Sequence, residues 1–190
     1  KALKISREEY IIKEIAVCMY QEDTYQAYCN ALNFLKENMN IADTINPEVL
    51  KTLGTIYKNL WFQKEITEFA NQALILLKTY NSGLNYGFML LVMSTIDNVD
   101  DNLKYYLWAK HVYLKTKKIC LNKYEIDDYW VNASLAECCL VLDEKEDYYK
   151  YLDLSNLCCF HNSNEKKWKK EKTHKQLKTI KALLEKINFY

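Results

Sequence analysis

The sequence predicts an all-α fold: an α-solenoid of about four helical hairpins, tetratricopeptide-like, closed by a C-terminal capping helix. Three observations lead there. Apolar residues recur at three- and four-residue intervals through almost the whole chain, as amphipathic helices require. Three glycines and one proline in 190 residues leave too few turn residues for a β-sandwich or barrel. The helical blocks pair around short polar breaks, and the first helices of successive pairs begin about 36 to 43 residues apart, the period of helix-turn-helix repeats.

Taken in order, Glu8 to Tyr20 and Tyr25 to Glu37 make the first hairpin, turning at QEDT. Pro47 to Trp61 and Lys64 to Tyr80 make the second around a very short joint. Leu84 to Ile96 and Asn102 to Leu121 make the third, with the acidic pair of VDD as the capping signal of its second helix. Asp127 to Leu142 and Lys145 to Phe160 make the fourth around DEK, and Glu165 to Ile187 is the closing helix. Within NPEVLKTLGTIYKNLW, residues 46–61, the offsets Leu50, Leu53, Gly54, Tyr57 follow the tetratricopeptide pattern. There a small residue admits the partner helix and the aromatic fills the gap beside it. Ala70 and Ala73 supply small positions on the second helix. Gly54 is then a packing glycine, giving up about 1 kcal/mol of helix propensity against alanine. Trp130, Ala133 and Ser134 repeat the offsets more loosely, and Glu137 stands where an aromatic belongs.

The formal net charge is +1, from 26 basic and 25 acidic residues, so no whole-molecule field draws the chain to nucleic acid or an anionic membrane. No apolar run reaches the roughly 18 residues of a membrane span. Seven cysteines form an odd set without disulfide-scaffold spacing, which points to a reducing, cytoplasmic setting. The opening KALKISREEY has neither an initiator Met nor a signal-peptide apolar region, so a single helical-repeat domain, excised from a longer protein, is expected.

Chemistry has little to stand on in this sequence. Cys138-Cys139 and Cys158-Cys159, with His161 nearby, suggest a metal site at first sight. A hairpin turning near Glu144 offsets Cys138 from Cys158 by roughly 12 Å along the axes, too far for a common ion. Buried apolar thiols are the better reading, and no metal or cofactor is expected. The histidines at 111, 161 and 174 fall on separate elements, and no HExxH, phosphate loop or nucleophile elbow is present. The run EKKWKKEKTHKQLKTIKALLEK holds nine lysines against three glutamates. Trp168, Leu177, Ile180, Leu184 and Ile187 form a helical stripe that leaves those lysines as the solvated face of a cap, which disfavours nucleic acid. Most of the sixteen tyrosines and four tryptophans are expected in the core. A solenoid exposes a concave face lined by its first helices, and its expected polar residues are Lys51, Thr55, Lys58, Asn85, Asp128 and Asn132.

NPEVLKTLGTIYKNLW, GLNYGFMLLVM, DDYWVNASLAECCLVLDEKEDYYKYL and the spacing W-x4-T-x3-L-x2-I from Trp168 to Ile180 together resemble the TRAF-binding, tetratricopeptide-like domain. That domain is the central regulatory region of the apoptosis signal-regulating kinases, and it has bacterial relatives. The resemblance runs from about Asn46 to Leu184 and implies a non-enzymatic regulatory scaffold for a protein or peptide partner, or for neighbouring domains of the same chain. Its motif positions add Glu137 to Lys58, Asn85 and Asp128 as candidate contacts. Gly87 and Phe88 depart from the small pair expected after Asn85. A module that senses or processes a small nucleotide-type signal with a domain absent from these residues is the alternative, and self-association through an exposed solenoid end is a third possibility.

Overall fold

The computed structural model describes residues 7–41, 46–80, 83–96, 102–122, 124–125, 127–158 and 164–187. Every regular element among them is an α-helix, so the all-α class holds. The order is α1 (Arg7–Met19), α2 (Tyr25–Asn38), α3 (Pro47–Lys64), α4 (Thr67–Tyr80), α5 (Leu84–Met93), α6 (Asn102–Asn122), α7 (Tyr129–Val141), α8 (Lys145–Leu157) and α9 (Asn164–Lys186). The chain divides into two compact units, residues 1–89 and 90–190. The VDD capping signal and the segment with Cys159 and His161 lie outside the described residues.

Side-chain caps set several starts. Thr24 accepts from the Ala27 amide at 3.2 Å, Asn46 from Glu48 at 3.1 Å, and Asp128 from Trp130 and Val131 at 2.8 and 3.2 Å, each satisfying amides that a first helical turn leaves unpaired. The ends of three hairpin-forming helices turn differently. Asp23, Glu65 and Asp143 adopt φ of 53°, 52° and 60°, the left-handed region where glycine is the easy residue. A chain with three glycines makes these corners with acidic residues instead. The Glu65 amide reaches the Trp61 carbonyl at 2.6 Å, which carries α3 three residues beyond its expected end and delays α4 to Thr67.

In the first unit, α1 packs on α2, and α3 packs on α1, α2 and most extensively on α4. Tyr28, Leu35, Val49, Leu53, Ile56 and Leu60 form its core. Gly54, Ala70 and Ala73 are all buried in the α3–α4 pair, so small residues occupy the closely packed positions, as the repeat offsets require. Phe88, placed by the sequence in a doubtful position, is fully buried; it stacks on Phe62 at 5.0 Å and meets Trp61 edge-on at 5.8 Å.

In the second unit α7 is the hub, packed against α6, α8 and α9. Buried positions occur all around it, from Asn132 to Val141, as expected of a helix enclosed by others. Leu135, Ala136, Cys139, Tyr148, Tyr151 and Leu177 form the core. α9 turns Leu177, Ile180 and Leu183 inward, while Trp168 is 37% exposed, so the inward face expected from Trp168 and Leu184 is rotated. Trp108 and Trp130 are also exposed; among the described residues only Trp61 of the tryptophans and Tyr28, Tyr86, Tyr113, Tyr148 and Tyr151 of the tyrosines are buried, which corrects the expectation that most of these aromatics lie in the core. Indoles do not need full burial when a lysine lies over the ring: Lys172 sits 4.3 Å from the Trp168 centroid and Lys169 5.9 Å from that of Trp130.

Two substitutions test these constraints. Gly54→Leu, forcing a side chain into the α3–α4 contact, is expected to cost about 1–3 kcal/mol in urea denaturation; unchanged or raised stability would show that no close approach exists there. Glu65→Gly is expected to raise stability by about 1 kcal/mol by relieving a left-handed non-glycine residue, and a loss would show that the glutamate side chain holds the corner.

Candidate functional site

The six sequence-chosen partner residues fall in both units. In the first unit Lys51 is exposed on α3 and pairs with Glu48 at 3.9 Å. Thr55, one turn on, donates to the Lys51 carbonyl at 2.9 Å. Lys58 is only 6% exposed and donates to Asn85 Oδ1 at 2.7 Å, its ammonium 5.8 and 5.6 Å from the Phe62 and Phe88 ring centres. A buried ammonium needs such compensation, so this pair locks α3 to the start of α5.

In the second unit Asp128 spends its carboxylate on the first amides of α7. Asn132 is 0% exposed, donating to the Asp128 carbonyl at 2.9 Å and lying 3.9 Å from Cys158 Sγ. Glu137 is 6% exposed and bridges two neighbours: Tyr113 of α6 donates to its Oε1 at 2.9 Å and Gln176 of α9 to its Oε2 at 2.7 Å. Burial and the adjacent Glu137 charge hold the Tyr113 hydroxyl well above the usual tyrosine range, so it remains a donor. Tyr113 and Gln176 escape the sequence reading because their roles appear only when three helices meet. The missing aromatic at 137 was the available signal: a carboxylate in a core position needs donors.

A second cluster lies on the same hub. The Cys139, Glu144 and Asp147 ligand-type atoms lie within 4.8 Å of one another, and Lys117 places its ammonium 2.5 Å from Glu144 and 3.3 Å from Asp147. Burial lowers the Lys117 pKa, but the hydrogen bonds its ammonium donates to Glu144 and Asp147, and the nearby Cys139, outweigh it and hold the ammonium above the ordinary lysine range. Burial and the Glu144 hydrogen bond push the Cys139 thiol up to about 12, and burial raises Cys138 further. A thiol in that state is a poor nucleophile at neutral pH, and Lys117 supplies positive charge beside both carboxylates. Cys158 lies beside Asn132, which is six residues, about 9 Å of helix axis, from Cys138 on α7. The adjoining cavity, edged by Cys139, Glu144, Tyr148 and Lys181, is 150 Å³, below the roughly 300 Å³ at which small-molecule sites begin.

The anchors Tyr113 and Lys117, one turn apart, select which side of α6 faces inward. Leu103, Leu107, Leu114 and Leu121 follow one another by four, seven and seven residues and are 52, 57, 42 and 42% exposed. At 100° per residue they fall in an arc of about 40°, turned about 100° from Tyr113. Lys104, His111, Lys115 and Lys118 are exposed along one flank of the row, and α6 contains no acidic residue. Among the described residues no helix is long and apolar enough to cross a membrane.

Glu137→Ala is expected to lower stability by about 2 kcal/mol, since it leaves the buried Tyr113 hydroxyl without its acceptor and removes the link to α9; a loss under about 1 kcal/mol in denaturant titration would show that the bridge is dispensable. Lys117→Met should cost about 1 kcal/mol at neutral pH. Because the folded-state pKa of Lys117 is raised, its contribution is complete below the unfolded value of 10.5 and fades as pH climbs past it. The wild-type and K117M melting curves should therefore begin to converge only above pH 10.5; a gap with no narrowing between neutral pH and the most alkaline pH at which the fold survives would assign the effect to packing.

No family model matches the chain, and no curated protein and no solved structure does either.

Proposed function

We propose that the chain is a non-enzymatic helical-repeat scaffold that binds another protein through the outer face of α6. Its hairpins stack as a tetratricopeptide-like solenoid and it serves a signalling protein, as the resemblance to TRAF-binding domains implies, in the reducing, cytoplasmic setting to which the odd set of seven cysteines points. The observation that carries the reading is the leucine row of α6. Four leucines on one arc, 42 to 57% exposed, make an apolar stripe that a water-facing helix has no reason to keep. Lys58, Asn85, Asp128, Asn132 and Glu137 support it from behind: their hydrogen bonds hold the helices in place, and the contact surface lies elsewhere.

The test is affinity capture with three forms of the chain: wild type, Leu107→Glu/Leu114→Glu and Lys51→Glu, all checked for helicity by circular dichroism. A partner held by the wild type and by K51E, and lost by the leucine double variant, is expected. Loss with K51E alone would move the contact to the exposed face of α3, and equal, empty recoveries from all three would end the protein-binding reading.

A further inference from the structure

We propose that the partner of α6 is an acidic amphipathic helix that lies along the leucine row, an inference that rests on the protein-binding reading above and names the chemistry of its ligand. The row gives the shape. Leu107, Leu114 and Leu121 repeat every seven residues, the interval at which two helices keep one seam in contact. From Leu103 to Leu121 the seam runs about 27 Å, enough for a partner helix of five turns. A lipid surface imposes no such interval and takes a wider apolar face.

Charge gives the partner's sign. Five lysines and one histidine lie on α6 with no acidic residue, although the whole chain is nearly neutral. Exposed Lys104, His111, Lys115 and Lys118 all lie on one flank of the seam, so a partner gains by placing Glu or Asp along a single side. Lys117, on the other flank, is already matched by Glu144 and Asp147. Lys110 borders the row, about 20° outside the leucine arc on the Lys117 side, its ammonium 5.6 Å from the Tyr106 ring centre. An acid opposite it would set the register, as a lone polar residue does in a helix seam. The same arrangement argues against a second copy's α6 as the occupant, because pairing the helix with itself brings lysine against lysine.

The probes are three synthetic helices of about 20 residues with leucine at the seam spacing and flanks of glutamate, glutamine or lysine, titrated against the 190-residue chain by fluorescence anisotropy. The glutamate peptide is expected to bind about tenfold or more tighter than the glutamine peptide and to weaken steeply from about 50 to 300 mM salt. It should lose at least about tenfold in Leu107→Glu/Leu114→Glu and, separately, in Lys104→Glu/Lys115→Glu/Lys118→Glu. All five positions are exposed, so folding is preserved and circular dichroism confirms it. Equal binding of the glutamate and glutamine peptides would overturn the acidic partner while leaving α6 as a docking face. No peptide binding, with sedimentation of the chain on phosphatidylserine vesicles, would make the face a lipid contact and overturn both readings. No peptide or vesicle binding would overturn this proposal alone if the capture experiment still shows a leucine-dependent partner.

Discussion

The buried carboxylate of Glu137 is the constraint on which the second unit turns. An isolated charge in an apolar interior is too costly to persist, so the fold must bring donors to it. It does so from two directions, with Tyr113 of α6 and Gln176 of α9. That requirement fixes the rotation of both helices around α7. Lys117, one turn beyond Tyr113, repeats the logic with Glu144 and Asp147. The inward side of α6 is therefore chosen by a tyrosine hydroxyl and an ammonium as well as by Ala109, and its leucines are left outside. An apolar surface so exposed follows from electrostatic requirements met elsewhere in the same helix.

The first unit reaches a similar end by another route. Its core is conventional, with aliphatic residues of α2 and α3 closed by small residues where α3 meets α4. The polar insertion is Lys58, which sits among Phe62, Phe88 and Asn85 and ties α3 to the beginning of α5. In both units the polar residues that first attract attention are fasteners. A buried charge with good partners specifies an arrangement of helices, because any other arrangement would leave the charge uncompensated.

The corners show what a glycine-poor composition entails. Asp23, Glu65 and Asp143 occupy left-handed positions that most chains give to glycine or asparagine. Aspartate tolerates that conformation through its short polar side chain, and at Asp23 the carboxylate also accepts from the Tyr28 hydroxyl at 2.6 Å. Glutamate has no such compensation in its backbone preferences, which makes the α3–α4 corner the most strained of the three.

Among the described residues, helix existence and most boundaries were legible in the sequence, because three-and-four periodicity and caps such as Thr24 and Asp128 are local properties that fix local structure. So was the packing role of Gly54, since a glycine inside a helical pattern has few other reasons to be there. The overrun of α3 to Lys64 was not legible, because a left-handed glutamate leaves no turn signature. The candidate site divides the same way. Lys58, Asn85, Asp128, Asn132 and Glu137 were recognisable as unusual polar residues on apolar helices, but whether each faces a groove or a core depends on neighbours far along the chain. The leucines of α6 carry the same ambiguity in reverse. A row at helical spacing reads as core in any sequence, and only the tertiary structure, by anchoring Tyr113 and Lys117 inward, decided that this row faces outward.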